Sequence, residues 1–379
     1  MNKNSKIYVA GHTGLVGSAL TNLLKEKGYN NLILKTIEEL DLTNQQAVDS
    51  FFTDEKPEYI FLAAAKTGGI LANNTLRADF IYINLAIQNN VIFNCWKHGV
   101  KKLIFLGSTC IYPKNAPQPL KEEYLLTSAL ELTNEPYAIA KIAGIKLCES
   151  FNIQYDTNFI SVMPTNLYGP GDNFDLEKSH VLPALLRKFH LGKCLEAGNW
   201  DAIRNDLNRY PIKIVDGKAD EQGILKILEE QGIRKQGTET ISGNCNVSVT
   251  IWGSGTPLRE FMYSTDMAEA CVFLMENVNI YDITSRFKIR IPDNDYHFPH
   301  FINIGTGEEI SIKDLALKIK RLTGFKGNID FDTSKPDGTL RKVTDTAILR
   351  QLGYIHKINL DEGLKIYYEE YLRYDGATV

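Results

Sequence analysis

A glycine-rich turn near the start of the chain constrains its fold more than any other feature. The segment YVAGHTGLVGSAL follows a short apolar run and opens a helical pattern, with Gly11, Gly14 and Gly17 at the turn. Glycine tolerates positive φ angles and lets backbone amides approach a pyrophosphate, whose charge a helix N-terminus stabilises. The spacing G-x-x-G-x-x-G differs from the usual G-x-G-x-x-G, yet its place between strand and helix predicts a dinucleotide-binding turn.

Short apolar runs alternate with amphipathic stretches through the first half of the chain. The pattern predicts strands at 7–10, 32–34, 59–63, 103–106 and 159–163, and helices at 15–27, 44–53, 80–98 and 137–153. Such alternation is typical of a parallel sheet built from repeated strand-helix-strand units. We therefore expect an α/β fold, a Rossmann-type doubly wound parallel sheet with a smaller mixed α/β substrate-binding domain.

Turn signals become frequent after about residue 166, in YGPGDN, GSGTP and KPDGT. A chain of 379 residues is comfortable for two domains, since domains usually have ~100–200 residues. We expect residues 1–165 to form the Rossmann domain, with later segments returning to it, and residues 166–379 to form mainly the substrate domain.

Composition excludes several classes of protein. A formal net charge of -4 provides no basic field for nucleic acid, and no apolar run is long enough to span a membrane. The N-terminus lacks a cleavable leader, so we expect a cytoplasmic protein. The six cysteines are scattered without Cys-x-x-Cys pairs, which predicts reduced thiols and no metal site.

The cofactor preference depends on the residue that ends the second predicted strand. An acidic residue there would bind the ribose hydroxyl of NAD, whereas a basic residue suits the 2′-phosphate of NADP. The chain has Lys35 at this point, and His12 inside the glycine loop offers a second donor. We expect NADPH, although both side chains could instead be solvated surface groups.

Tyr137 and Lys141 form the pair that most directly indicates chemistry. In PYAIAKIAG they lie four residues apart on one helical face, downstream of Ser108, which lies just beyond the predicted strand at 103–106. A nearby ammonium is expected to lower the pKa of a tyrosine, ordinarily near ~10, so that the phenol exchanges protons. An ordinary amphipathic helix is the alternative, but the glycine loop and Ser108 favour carbonyl reduction.

Together these motifs resemble the extended short-chain dehydrogenase/reductases, and longer stretches resemble the GDP-L-fucose synthase family within them. The resemblance extends from about residue 5 to 370. The stretches are AGHTGLVGSA, AAAKTGGILANNT, GSTCIYPKNAPQP, NEPYAIAKIAGIKLCES, VMPTNLYGPGDNF, SHVLPALLRKFH, WGSGTPLREF, NIGTGEE and KPDGTLRK.

This resemblance implies an NADPH-dependent 3,5-epimerisation and 4-reduction of a GDP-4-keto-6-deoxy sugar by a homodimer. A C4 ketone acidifies the protons on C3 and C5, and epimerisation needs an acid and a base, which map to Cys110 and His180. Tyr137 would protonate the developing alkoxide with help from Ser108.

The resemblance also maps the binding residues. Cofactor contacts fall on the loop residues Gly11, His12, Thr13, Gly14, Leu15, Val16 and Gly17, on Lys35, Asp41, Leu42, Ala63, Ala64, Lys66 and Lys141, and on Asn166, Leu167, Tyr168 and His180. Contacts to the GDP-sugar fall on Asn166, Arg187, Trp252, Arg259 and Asp337.

The chain departs from the resemblance in two places. His12 and Lys35 stand where the family often has arginines, which implies weaker discrimination against NADH. The span from His190 to Trp252 is longer than the resemblance predicts, with an insertion at about 195–248. That insertion could enlarge or cover the sugar pocket, cover a subunit edge, or have no chemical role, and it raises the alternative of a GDP-4-keto-6-deoxyheptose substrate.

Three other functions compete with this interpretation. An enzyme could perform only the reduction or only the epimerisation. A UDP-sugar epimerase or dehydratase is weakened because Thr109 and Cys110 follow Ser108, where dehydratases usually carry an acidic pair. A non-catalytic NADP-binding regulator is disfavoured because Ser108, Tyr137 and Lys141 are all present.

Overall fold

The computed structural model describes residues 1–236, 246–287, 289–291, 294–297, 300–335 and 337–373. The chain forms two compact units. The larger unit comprises Met1–Gly171, Glu260–Glu308 and Lys342–Ile358, and the smaller comprises Asp172–Arg259, Glu309–Arg341 and the chain from Asn359 on. The predicted insertion lies in the smaller unit, and its residues 237–245 lie outside the described part.

Strands and helices alternate along the first part of the chain. In order, they are β1 (Ile7–Ala10), α1 (Leu15–Glu26), β2 (Leu32–Ile33), α2 (Gln45–Glu55), β3 (Tyr59–Leu62), α3 (Ile70–Thr75), α4 (Arg77–Lys97), β4 (Lys102–Leu106), α5 (Glu135–Tyr155), β5 (Phe159–Pro164) and β6 (Asn166–Tyr168). Short 3-10 turns occupy Thr109–Ile111 and Glu122–Tyr124.

The remainder forms α6 (Val181–Glu196), α7 (Trp200–Arg209), α8 (Glu221–Glu230), β7 (Ile233–Gln236), β8 (Asn246–Trp252), β9 (Leu258–Arg259), β10 (Phe261–Tyr263), α9 (Ser264–Asn277), α10 (Ile280–Arg286), β11 (Ile289–Ile291), β12 (Asn294–His297), β13 (Phe301–Ile304), β14 (Ile310–Ser311), α11 (Ile312–Thr323), β15 (Asn328–Asp332), β16 (Arg341–Lys342), α12 (Ala347–Gln351) and α13 (Leu360–Arg373). None of the described helices is both long and apolar enough to span a bilayer.

A six-stranded parallel sheet forms the centre of the larger unit, in the order β13-β5-β4-β3-β1-β2. The predicted α/β class is confirmed, and the five predicted strands match β1 to β5 with ends displaced by one residue at most. Helix α5 begins at Glu135, two residues before the predicted start, because Pro136 fits the first helical turn, where its missing N–H needs no partner. The sixth strand, β13, was not predicted.

The central strand β4 is buried along its whole length, including its first residue, Lys102. The Lys102 ammonium donates to the carbonyls of Leu274, at 2.6 Å, and Met275, at 3.0 Å, and to that of Val278. These carbonyls end α9, where a positive charge complements the helix dipole. Burial still lowers the Lys102 pKa to about 8. This capping fixes α9 against the start of β4.

The glycine loop adopts the conformation that its sequence predicts. Gly11 has a φ of +81°, and a Cβ at this position would lie 2.7 Å from the backbone of Ala64. A Cβ on Gly17 would lie 2.0 Å from the Gly11 carbonyl oxygen. Gly14 has more room, since its nearest neighbour would be 3.6 Å away. Two of the glycines therefore permit close backbone packing, and the third leaves the N-terminus of α1 open.

The smaller unit contains a sheet in the order β15-β8-β7. Strand β8 pairs parallel to β15 and antiparallel to β7. The predicted insertion supplies α7, α8 and β7, so its described part is folded, with Ile203, Leu207 and Ile224 in the interior.

Gly17→Ala should lower the free energy of unfolding by about 1–3 kcal/mol, because the added methyl group has no room and the loop must shift. Urea denaturation measures the change. Gly14→Ala is the matched control and should lose less than about 1 kcal/mol. Equal losses in the two variants would contradict this account of Gly17.

Candidate active site

Ser108 lies just beyond the carboxyl end of β4 and opens a 3-10 turn. Its Oγ accepts a hydrogen bond from the Cys110 amide at 3.2 Å. Because Oγ acts as the acceptor in this contact, its O–H remains able to donate to another group. Ser108 is half-buried, and α5 packs against the turn that follows it. The local fold therefore holds Ser108 and Cys110 beside the helix that carries Tyr137.

Lys141 is buried in α5 and points at the end of the same strand. Its Nζ donates to the Leu106 carbonyl at 2.7 Å, and it lies 5.8 Å from the centroid of the Tyr137 ring. The Tyr137 ring packs edge-on against Phe80, with centroids 6.4 Å apart. The predicted pair is thus on one helical face, joined to β4 through the lysine.

The ionisation of this pair differs from the sequence-based expectation. Burial raises the pKa of Tyr137, with a smaller contribution from Cys110, and burial lowers the pKa of Lys141 to about 7. Desolvation disfavours both charged forms and is the largest influence on each group. The expectation that Lys141 lowers the Tyr137 pKa is therefore wrong for this structure. Tyr137 retains its proton at neutral pH, which suits a proton donor.

Lys342 is a candidate that sequence reasoning missed. Its Nζ lies 3.7 Å from Cys110 Sγ. The backbone after it is fixed by hydrogen bonds from Val343 to the Gln118 side chain, at 3.0 Å, and from Leu120 to the Val343 carbonyl, at 2.7 Å. The contact places a cationic side chain directly beside the sulfur of a predicted catalytic residue. More than two hundred residues separate the partners, so no local signal predicts their contact.

The glycine loop and the end of β2 carry the candidate groups for a dinucleotide phosphate. His12 Nδ1 is buried, and no residue in the described ranges forms a hydrogen bond with it. The charges of Lys35 and His12 both help to lower the pKa of Glu39, after hydrogen bonds from Thr36, which places all three side chains in one region. Gly14 caps α1 without a side chain. The two basic side chains that were expected to bind the 2′-phosphate, His12 and Lys35, therefore lie close together and near the carboxylate of Glu39.

The other predicted cofactor residues lie at neighbouring strand ends of the larger unit. Ala63 and Ala64 follow β3, and Lys66 is anchored by its amide to Asn84 at 2.9 Å and by its Nζ to Asp79 at 2.8 Å. The remaining ones are Asp41 and Leu42 before α2, and Asn166, Leu167 and Tyr168 in β6. These positions border the end of the sheet at which parallel folds bind ligands.

His180 belongs to the smaller unit, where it is exposed and caps α6. Trp252, Arg259 and Asp337 belong to the same unit. Trp252 ends β8 with 68% of its surface exposed, and the Asp337 carboxylate accepts from the Ser254 amide at 2.9 Å and hydroxyl at 2.7 Å. Burial lowers the pKa of Arg259, and Asp337 acts in the opposite direction.

The structure corrects the expectation for Arg187. This side chain is fully buried, and it donates to Asp206 from Nε, at 2.9 Å, and from Nη2, at 2.7 Å. It therefore presents no surface to a sugar nucleotide. The next residue, Lys188, is half-buried, with burial lowering its pKa to about 8 and one long contact, 3.4 Å, to the Thr250 carbonyl. The sequence shows two adjacent basic residues, Arg187 and Lys188, but it does not indicate which of the two side chains is buried in the interior.

The chain is similar to known proteins along nearly its whole length. The model of the NAD dependent epimerase/dehydratase family matches residues 7–207 and 224–287. GDP-L-fucose synthase 1 of Arabidopsis thaliana is 47% identical over 98% of this chain and 94% of that protein. A GDP-6-OMe-4-keto-L-xylo-heptose reductase from C. jejuni is 47% identical, covers 98% of this chain and 99% of its own, and superposes with a TM-score of 0.87. A GDP-mannoheptose C4 reductase from Campylobacter jejuni with NADP bound is 45% identical with the same coverage and a TM-score of 0.83.

Lys141→Met should stabilise the fold at pH 7 by roughly 1–3 kcal/mol, because it removes a buried ammonium. The pKa of Lys141 is about 7 in the folded chain against an ordinary 10.5. The destabilisation caused by burying the Lys141 ammonium is therefore complete below pH 7 and disappears as the pH rises towards 10.5. Thermal unfolding between pH 7 and 10 should show the difference narrowing.

Lys146→Met, on the same helix but with a partly exposed ammonium paired with Glu149, is the control for this prediction. A Lys141→Met variant that is less stable than the parent at pH 7 would contradict the assigned cost of burial.

Proposed function

From the premise that the chain belongs to the NAD dependent epimerase/dehydratase family, and within it to the GDP-L-fucose synthases, we propose that it is an NADPH-dependent epimerase/reductase. Its substrate is a GDP-4-keto-6-deoxy sugar, inverted at C3 and C5 and reduced at C4. The observation that carries the proposal is the grouping of Ser108, Cys110, Tyr137 and Lys141 at the end of β4.

The residues of the larger unit fit NADPH. Gly11 and Gly17 hold the loop where a Cβ would collide with backbone, and Gly14 caps α1 without a side chain, so backbone N–H groups in the first turn of α1 can bind the pyrophosphate. The orphan His12 Nδ1 and the Lys35 ammonium can bind a 2′-phosphate. Bound NADPH supplies the hydride for the reduction. The solved relative with NADP bound supports this choice.

Tyr137 is assigned the proton donor for the reduction at C4. Its raised pKa keeps the phenol protonated at neutral pH, ready to protonate an alkoxide as it forms. Ser108 donates its O–H to the same oxygen and stabilises developing negative charge. Lys141, with a pKa of about 7, exchanges protons near neutrality and restores the proton to Tyr137. Each step uses a group at the end of β4 or on α5.

Cys110 and His180 are assigned the proton transfers of the epimerisation, as the resemblance implies. Cys110 is assigned the base that removes a proton next to the C4 ketone, which delocalises the resulting charge as an enolate, and His180 is assigned the acid that returns a proton. The Lys342 ammonium lies 3.7 Å from Cys110 Sγ and can donate to the sulfur during this proton transfer.

The smaller unit is assigned to the GDP portion. The exposed Trp252 ring can stack on a base or sugar, and Asp337 provides acceptors for ring N–H or hydroxyl groups. Lys188 and Arg259 are the cations for the pyrophosphate. Lys188 replaces Arg187 in this assignment because its ammonium is only weakly engaged by the protein.

A GDP-4-keto-6-deoxyheptose is the second candidate substrate. Three solved relatives at 45–47% identity are described as GDP-heptose enzymes of Campylobacter jejuni, and each covers 98% of this chain. Acting on the heptose, the chain would be either a C4-reductase or an epimerase/reductase, and two of these relatives are named as reductases.

We further propose a cytoplasmic homodimer that supplies activated sugars for polysaccharide synthesis. The neighbouring helices α4 and α5 support the dimer, since they expose five apolar side chains: Tyr82, Phe93, Ile139, Ile153 and Tyr155. Packing a second copy against this face would remove apolar surface from water.

Tyr137→Phe should lower NADPH oxidation by ~10²–10⁴-fold while cofactor binding is retained, because only the phenol hydroxyl that donates the proton is lost. Stopped-flow absorbance with a GDP-4-keto-6-deoxy sugar measures turnover, and fluorescence titration measures binding. Tyr155→Phe, on the same helix, is the control. Unimpaired turnover by Tyr137→Phe would refute the assigned mechanism.

Competition between the two GDP-sugars decides the carbon count of the substrate. With both present, we expect the hexose to be consumed with the higher kcat/KM, measured by mass spectrometry of the products. A preference of tenfold or more for the heptose would instead establish the second candidate.

A further inference from the structure

A buried ion pair joins the insertion to helix α6. Arg187 and Asp206 both have no exposed surface, and Asp206 lies on α7, within the insertion predicted at about 195–248. Asp206 Oδ1 accepts hydrogen bonds from both Nε and Nη2 of Arg187, while Oδ2 accepts a hydrogen bond from the Tyr371 hydroxyl. Breaking such a pair leaves an uncompensated charge in the interior.

The same guanidinium also holds the loop that precedes His180. Arg187 Nη1 donates to the Phe174 carbonyl at 3.0 Å, and Nη2 donates to the Tyr210 carbonyl. Arg187 has a planar fork of donors, so the direction fixed by Asp206 also fixes the position of the Phe174 carbonyl. A lysine, with one rotatable ammonium, cannot make all these bonds at once.

Phe174 is the anchor of this loop. Its ring is buried against Tyr371, at 4.8 Å between centroids, and against Tyr367 and Tyr210, both at 5.4 Å. The backbone then turns at once, with the Ser179 amide donating to the Asp175 carbonyl at 2.8 Å. His180 follows directly, so its backbone position depends on where Phe174 is held.

We infer that Asp206 is a positioning residue for His180, acting through Arg187 and the loop 172–179. The insertion is therefore part of the apparatus that orients the proton-transfer histidine. This inference rests on the proposed function, because the role of His180 belongs to the epimerisation.

The test uses Asp206→Asn, which retains the shape but leaves the Arg187 charge unbalanced, and Arg187→Lys, which retains the charge but loses the fork. Asp220→Asn is the matched control, because Asp220 caps α8 in the same insertion and is exposed. All variants are turned over in deuterated water with NADPH and a GDP-4-keto-6-deoxy sugar, and the deuterium in each product is counted.

The parent and Asp220→Asn should place two deuterium atoms in each product, one at C3 and one at C5. The two network variants, Asp206→Asn and Arg187→Lys, should give products with fewer deuterium atoms, because the ketone is reduced before the slowed epimerisation is complete. A variant that is merely less stable has less active enzyme, but its products keep the parental label. An unchanged count in both network variants would overturn the inference.

Amide hydrogen exchange provides an independent readout that needs no substrate. The peptide covering 172–181 should exchange about tenfold faster in Asp206→Asn than in Asp220→Asn if Asp206 holds the loop. Unchanged protection would overturn the inference whatever the enzyme does. If the parent reduces the sugar without any label, the proposed epimerisation is wrong, the catalytic part of the inference falls with it, and amide exchange still decides the structural part.

Discussion

The hydrogen bond from the buried Lys141 ammonium to the Leu106 carbonyl is the interaction on which the site depends. It joins α5 to the end of β4, and therefore sets Tyr137 beside the turn that holds Ser108 and Cys110. The bond is made at a cost, because burial lowers the pKa of Lys141 to about 7 and destabilises its charged form. A lysine in this state lowers the stability of the fold, but it can exchange protons readily near neutral pH.

A second constraint places the distant segments of the larger unit. The Glu260 carboxylate is buried and accepts from the amides of Thr306, Gly307 and Thr344, at 2.6–2.8 Å. Thr344 follows the strand that carries Lys342, so these bonds help to fix the lysine beside Cys110. Burial nonetheless raises the pKa of Glu260. The proton chemistry at the end of β4 thus depends on residues from three separate parts of the sequence.

Features encoded locally were the ones that sequence predicted. Strands β1 to β5 follow from apolar periodicity, and the loop from Gly11 to Gly17 follows from the conformations that glycine permits. Strand β13 could not be predicted, because its pairing with β5 joins residues far apart in the chain and its surroundings are rich in proline and aromatics. The contact between Lys342 and Cys110 was missed for the same reason.

The remaining differences between the sequence-based predictions and the structure result from the burial of individual side chains. Arg187 and Lys188 are adjacent cations on α6, and only the packing of α7 against that helix shows that Arg187 is the inner one. The pKa of Tyr137 was expected to fall beside a lysine, yet desolvation of both groups is the larger effect. Sequence spacing identifies which groups meet, whereas their ionisation depends on how much water the fold removes.

The most direct test of the central claim follows a single deuterium atom from cofactor to sugar. The enzyme is supplied with a GDP-4-keto-6-deoxy sugar and NADPH deuterated at the transferable position of its nicotinamide, and the product is examined by NMR and mass spectrometry. Reduction at the Tyr137 site predicts one deuterium atom at C4 of each product molecule, and Tyr137→Phe should form this labelled product ~10²–10⁴-fold more slowly. A product without deuterium at C4, or labelled product formed by the variant as fast as by the parent, would contradict the account.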